Sequence, residues 1–299
     1  MEYRRLGHSG LHVSPICLGT MMFGAQTDEA TSKRIVDKAA DQGVNFIDTA
    51  DVYGNGASEE VVGRALGDQR DAWVLATKLA NAMGSDPNRG GLGGKWVMRA
   101  CEESLARLGT DYIDIYYLHK EDIATPLEET ISAIGDLMRA GKIRYFGLSN
   151  YRAWRVAEVV RTCEALGVSR PVVSQPYYNA LNRMPEIEHL PACDHYGLGV
   201  VPYSPLARGV LTGKYGPQDL AAPGDDTRAG RSDPRMMQTE WRLESLEIAQ
   251  KLNQHCQAKG AKLTHYALGW VLNNALVTAP IAGPRTEEQW DDYMAGLDY

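Results

Sequence analysis

A chain of 299 residues is long enough for one or two domains, and α/β barrels often reach this size as one unit. Its 44% hydrophobic and 23% charged content is ordinary for a soluble globular protein. The net charge of −7 excludes a general attraction to nucleic acid or anionic membrane, while leaving room for a local basic pocket. The five cysteines, Cys17, Cys101, Cys163, Cys193 and Cys256, form no Cys-x-x-Cys pair, which argues against zinc or a disulfide framework and for a reducing compartment. Met1 to Gly7 holds no apolar run of a signal peptide, and the apolar stretch Ala267–Gly283 is broken by Asn273 and Asn274. A cytoplasmic protein without a membrane span is expected.

Along the chain, Tyr3–Leu6 and Leu11–Pro15 around Ser9-Gly10 predict a β-hairpin. Short apolar runs rich in Val, Ile and Tyr then recur, at Ile16–Leu18, Asn45–Ala50, Trp73–Lys78, Tyr112–His119, Arg144–Asn150, Val172–Tyr177, Gly199–Ser204 and Val277–Gly283. Between them lie helical patterns that each stop at a glycine. Glu29–Gln42 ends at Gly43, Ser58–Leu66 at Gly67, Lys95–Leu108 at Gly109, Pro126–Ala140 at Gly141 and Arg152–Leu166 at Gly167. Thr125-Pro126-Leu127-Glu128 and Thr286-Glu287-Glu288-Gln289 predict capping boxes.

Alternating strand and helix, eight strands in all, predicts a (β/α)8 TIM barrel over residues 1–299 as a single domain, its closed parallel sheet preceded by the hairpin. The runner-up is a doubly wound sheet. It usually carries a G-x-G-x-x-G turn after its first strand, and Leu18-Gly19-Thr20-Met21-Met22-Phe23-Gly24 is not one. Residues 213–233 read as a long loop after strand seven, either a lid or a disordered surface insertion. Gly90-Gly91-Leu92-Gly93-Gly94-Lys95 lacks phosphate-loop spacing and reads as a flexible loop.

A barrel carries its chemistry at the C-terminal ends of its strands. The polar residues there are Asp48 with Tyr53 just beyond, Lys78, His119, Ser149-Asn150, Gln175 and Tyr203-Ser204. Singly, each has a bland reading: a salt bridge for Asp48 or Lys78, packing for Tyr53, a satisfied polar group for His119. Together, Asp, Tyr, Lys and His from three successive units would meet at one mouth. The other histidines have no ligand spacing, so no metal is expected.

Over nearly its whole length the chain resembles the aldo-keto reductases. The resemblance rests on Gly19-Thr20-Met21-Met22-Phe23-Gly24, Asp48-Thr49-Ala50-Asp51-Val52-Tyr53-Gly54, Ala76-Thr77-Lys78, Tyr116-Tyr117-Leu118-His119 and Gly147-Leu148-Ser149-Asn150. It continues in Tyr203-Ser204-Pro205-Leu206, Gly213-Lys214-Tyr215 and Ile281-Ala282-Gly283-Pro284-Arg285. It implies hydride transfer from NADPH to a small-molecule carbonyl substrate, with Asp48, Tyr53, Lys78 and His119 as the catalytic four. Hydride addition builds an alkoxide that needs a proton donor, and a neighbouring ammonium makes a phenol a better one. Tyr53 would be the general acid, Lys78 its activator, Asp48 the anchor of Lys78, and His119 the donor that orients the carbonyl.

The resemblance also implies a cofactor set. Ser149, Asn150 and Gln175 match residues on the carboxamide, Tyr203 the ring that stacks on nicotinamide, and Ser204, Leu206, Lys214 and Arg228 contacts near the pyrophosphate. Arg285, at the start of a capped helix, matches a 2′-phosphate clamp, which favours NADPH over NADH. Gln289 matches an adenosine contact, and Thr20, Met21, Asp48 and Gly283 complete the set. Tyr293 stands where many relatives have asparagine for the adenine, and Met21 where some carry tryptophan.

Two other readings compete. A nicotinamide-binding redox sensor or regulatory subunit would resemble the potassium channel β subunits, in which asparagine commonly stands at the position of His119. A barrel hydrolase using Asp48 and His119 leaves Tyr53, Lys78 and Arg285 without roles. The sequence carries no signal for an oligomeric state.

Overall fold

The computed structural model describes residues 1–225 and 227–299; Asp226, inside the expected 213–233 loop, lies outside the described residues. Strands β1 (Arg4–Arg5) and β2 (His12–Val13) form the expected antiparallel hairpin. Eight parallel strands follow: β3 (Cys17–Gly19), β4 (Phe46–Asp48), β5 (Val74–Leu79), β6 (Ile113–Leu118), β7 (Ile143–Ser149), β8 (Val173–Gln175), β9 (Gly199–Val200) and β10 (Ile281–Ala282). They lie in the order β10-β3-β4-β5-β6-β7-β8-β9. Backbone hydrogen bonds also join the two ends of this order. Thr278 N donates to Val200 O (2.8 Å) and Ile281 N to Pro202 O (2.9 Å), and Val200 bridges Val277 in parallel.

Helices α1 (Glu29–Asp41), α2 (Ala57–Leu66), α3 (Gly94–Leu108), α4 (Leu127–Arg139) and α5 (Ala153–Leu166) pack each against the next outside the sheet. Their sequence pattern explains why. In α4, Leu127, Ile131, Ile134 and Leu137 recur at helical spacing and all are buried. Gly109 (φ 63°) and Gly167 (φ 64°) stop α3 and α5 in the left-handed conformation that glycine takes without a Cβ penalty.

The start of α4 departs from expectation. Thr125 does not cap the helix, because Asp122 takes its hydroxyl (2.7 Å) and its N–H (3.3 Å), and Pro126 stands at the cap. The second expected box forms by half. Thr286 accepts from Gln289 N, but the Gln289 amide oxygen reaches one residue further back, to Arg285 N (2.9 Å). The glycine-rich run is not loose: Leu92 is buried, its N–H held by Asp122 (2.8 Å) and its carbonyl by the Thr130 hydroxyl (2.8 Å).

Alternation along each strand sorts residues into two cores. Ile47, Leu75, Tyr116, Leu118, Phe146 and Leu148 face the helices. Cys17, Phe46, Val74, Ala76, Ile115, Tyr117 and Val173 fill the inside, closed below by Leu6 and Val13 of the hairpin. Gly147 shares that crowded interior: a Cβ there would stand 2.6 Å from both the Tyr117 ring and Val173.

Between β9 and β10 the chain adds structure that periodicity did not mark. Helices α7 (Pro234–Gln238), α8 (Leu243–Ala258) and α9 (Leu263–Leu272) there, like α6 (His189–Tyr196) between β8 and β9, were not anticipated, and α10 (Glu287–Ala295) follows β10. Ala207, Val210, Leu211, Ala229, Met236, Leu246 and Ala267 form a separate core that ties α7, α8 and α9 to the segment after β9. Within 213–233, Pro217–Leu220 forms a 3-10 turn and Ala229 is buried in this third core.

Candidate active site

The parity that buries Phe46, Ala76, Ile115 and Val173 inside the sheet also turns Asp48, Lys78, His119 and Gln175 inward, at or just past the strands' C-terminal ends. Every residue named from the sequence except Lys78 lines one cleft there, with about 1260 Å³ of empty space counting its open mouth. Lys78 lies immediately beneath it and is completely buried.

Lys78 Nζ donates to Asp48 Oδ1 and to Thr49 O (2.7 Å), with the Tyr53 hydroxyl 3.5 Å away. The Gln175 amide donates to the other Asp48 oxygen (2.9 Å), so both carboxylate oxygens have partners. Burial pushes the Lys78 ammonium toward deprotonation, but Asp48 and then Tyr53 outweigh it and raise its pKa. Burial is also the largest influence on Asp48 and raises its pKa, against the pull of Lys78 and Gln175. A charge pair buried this deeply is costly to desolvate, so removing either partner would leave an uncompensated charge.

The Tyr53 ring stands edge-on to His119, centroids 5.9 Å apart at 82°. Burial, then the positive charges of Lys78, Arg235 and Lys120, hold the His119 imidazole well below its ordinary pKa, so it is neutral. Asn81 Nδ2 lies 3.2 Å from His119 Nδ1. With that amide as donor, Nδ1 is the acceptor and Nε2–H remains as the ring's donor. Asn81 escaped the sequence reading. The backbone that aims it bends at Ala80 (φ 117°), a conformation that a side-chain-bearing residue rarely adopts.

Two of the sequence-selected residues show the same feature. Asn150 (φ 59°) and Ser204 (φ 58°) also have positive φ, so strained backbone gathers around the cleft. Asn150 Nδ2 donates to His119 O (2.9 Å) and Ser149 Oγ (3.1 Å), while its Oδ1 accepts from Tyr203 (2.8 Å). Tyr203 lines the cleft and stacks on Tyr177, centroids 5.5 Å apart at 28°. Its other face is therefore the one available to a planar ligand.

Further along, the cleft becomes cationic, although the chain is acidic overall. Lys214, Arg228 and Arg285 line it as expected, joined by Arg208, Arg231 and Arg235. Arg285 stands directly before α10, whose N-cap Thr286 accepts from Gln289 N. Burial lowers the Arg228 pKa, opposed by Asp233 at 3.8 Å. Arg208 is buried against Glu240 (3.1 Å), which also accepts from Tyr177 and Thr239. The missed arginines had a legible signal: Arg231 and Arg235 follow Arg228 at intervals of three and four residues.

The DTADVYG run holds a second buried acid. Asp51 does not line the cleft, neither carboxyl oxygen has a hydrogen-bond partner among the described residues, and its pKa is pushed up to about 7 by burial and then by Glu59. Glu59 is held by Arg107 (2.6 Å) and Thr77 (2.5 Å). Among the described residues no cluster of His, Cys, Asp and Glu could hold a metal ion, and no helix is long and apolar enough to cross a membrane. All five cysteines are buried and unpaired.

Over its full length the chain is 40% identical to a Bacillus subtilis protein named as an uncharacterized oxidoreductase, YrpG, 91% of which is covered. It is 36% identical to a probable voltage-gated potassium channel subunit beta of Oryza sativa, again over the full chain and 92% of the relative. It is 33% identical to the L-glyceraldehyde 3-phosphate reductase of Escherichia coli, over the full chain and 88% of the relative. The sequence profile of the Aldo/keto reductase family matches residues 15–298. By that match and those identities, the chain belongs to the aldo/keto reductase family, whose members are oxidoreductases that use nicotinamide cofactors.

Proposed function

We propose that this protein reduces an aldehyde or ketone to an alcohol with NADPH, as one (β/α)8 barrel domain spanning residues 1–299, with the 213–233 loop as a lid over the cofactor. The observation that carries the reading is the Lys78 ammonium, pinned by Asp48 and set 3.5 Å from the Tyr53 hydroxyl at the floor of the cleft. A charge so placed stabilises the phenolate that Tyr53 leaves on giving its proton to the carbonyl oxygen. Neutral His119 donates a hydrogen bond to the same oxygen and fixes its angle. Solvent then returns the proton to Tyr53.

The donor set fits a nicotinamide dinucleotide phosphate. Amide and hydroxyl groups of Ser149, Asn150 and Gln175 gather at one end with the open face of Tyr203, and Lys214, Arg228 and Arg285 at the other. NADPH, when bound, supplies the hydride. Thr20, Met21, Ser204, Leu206, Gly283 and Gln289 would line its path, and Arg285 at the start of α10 would hold the 2′-phosphate.

The relatives named as potassium channel subunits support a second reading, a nicotinamide-binding regulatory protein with little turnover. Single-turnover NADPH oxidation against a broad carbonyl panel separates the two. The enzyme reading expects a fast phase that His119→Asn slows at least tenfold, about 1.4 kcal/mol in barrier, with tight NADPH binding kept. A wild-type protein inert across the panel, or an equally fast variant, makes the regulatory reading the better one.

A further inference from the structure

The cations of the cleft do not all have employment. On the reading above, Lys214, Arg228 and Arg285 meet the phosphates of the cofactor, and Arg208 is neutralised by Glu240. Arg235 is different. It lines the cleft and is exposed; its carbonyl accepts from the Thr239 hydroxyl (2.5 Å), but its guanidinium makes no hydrogen bond or ion pair with any described residue.

The acids nearest to it in sequence are already committed. Asp233 caps α7 by accepting from Met236 N (3.0 Å), and Glu240 takes Arg208, Tyr177 and Thr239. Its position is nonetheless defined. Met236, the next residue, is completely buried in the third core, and the Asp233 cap and the Glu240 contacts hold α7 at both ends. Arg235 is thus carried to the cleft by a short anchored helix.

It shares one cleft with Tyr53, His119 and Tyr203. Among the charges that act on His119 it comes after Lys78, and on Tyr203 it opposes the effect of burial, after Arg208. These two side chains flank the place where the proposed hydride transfer occurs. A guanidinium at that point cannot serve an uncharged carbonyl compound well, but it offers a planar fork for a carboxylate or phosphate.

We infer that the substrate is a carbonyl compound bearing an anionic group, a carboxylate or a phosphate, and that Arg235 on α7 is the residue that holds it. The inference rests on the reductase reading and would make Arg235 a specificity-determining residue.

Matched pairs test it: succinic semialdehyde against butanal for the carboxylate, and glyceraldehyde 3-phosphate against glyceraldehyde for the phosphate. The readout is the ratio of kcat/KM, anionic over neutral, at saturating NADPH, with the NADPH Kd measured alongside. Wild type should prefer the anionic member of at least one pair by tenfold or more. Arg235→Gln should reduce that ratio by roughly tenfold to a hundredfold, the scale of a charge-assisted hydrogen bond, and Arg235→Lys should restore part of it.

No preference in wild type, or a ratio unchanged in Arg235→Gln, overturns the inference while leaving the reductase reading intact. A weaker NADPH Kd with an unchanged ratio also overturns it and assigns Arg235 to the cofactor. Failure of every carbonyl, neutral and anionic, defeats the reductase reading itself.

Discussion

At the reacting end of the cleft, Asp48, Lys78 and His119 stand on or directly after adjacent strands and are at most 6% exposed. At the phosphate end, Lys214, Arg228 and Arg285 stand on loops and before a helix, exposed or half-buried. The first arrangement suits chemistry: a buried ion pair keeps its geometry because the sheet fixes both partners, and the low dielectric strengthens what Lys78 does to Tyr53. The second suits binding, since cations on solvent-facing loops can meet a polyanion as it enters and let it go again. Substitutions at the two ends should therefore separate turnover from affinity.

The largest effect belongs to Tyr53→Phe. It removes the proton donor and leaves the phosphate end untouched, so kcat should fall by roughly 10²–10⁴ while the Kd for NADPH, read by fluorescence quenching, stays near wild type. Wild-type-like turnover would break the division at its strongest point. Arg285→Ala probes the other end. It should weaken NADPH binding by about 1.5–3 kcal/mol and barely change NADH binding, because only NADPH carries the 2′-phosphate. Equal losses for the two cofactors would show that Arg285 reads something both share.

How much of this was legible beforehand differs between the same two ends. The strand-borne residues announce themselves, because a strand that reads apolar until a terminal Asp, Lys or His has few places to put that residue. The eight strand positions came from the same pattern. The pattern picked out Asp48 and passed over Asp51, three residues on in the same motif: the inward parity of Phe46 and Asp48 gives Asp48 its Lys78 and leaves Asp51 buried without a hydrogen bond among the described residues. Thr125 misled, since its local capping signal lost to Asp122, a competitor for the same hydroxyl. Helices α7, α8 and α9 were not read at all. Leu263, Ala267, Leu268 and Val271 are buried in a helix apolar nearly all round, which blurs the period on which recognition depends. Arg208 and Glu240 find each other across a fold that local sequence does not encode.

Asn81 is the smallest expected effect and the finest division between holding a residue and using it. It touches His119 and neither the Tyr53 hydroxyl nor the lysine, so it is a positioning residue. Losing one hydrogen bond of about 0.5–1 kcal/mol should cost Asn81→Ala only about two- to fivefold in kcat/KM. General loosening of the loop after β5 could do as much, so the pH profile is the sharper readout. In wild type, His119 is held neutral, and kcat/KM should show no inflection from an imidazole between pH 6 and 8. Asn81→Asp places a carboxylate at Nδ1, which favours the imidazolium and raises the His119 pKa back toward its ordinary range. Above that pKa the neutral ring keeps its one proton on Nδ1, donating that N–H to the carboxylate as a hydrogen bond, and Nε2 is left without a proton to donate. Activity in Asn81→Asp should therefore fall as pH rises through the new inflection, while Asn81→Ala stays flat. Identical profiles for wild type and Asn81→Asp would mean that Asn81 does not set the tautomer of His119.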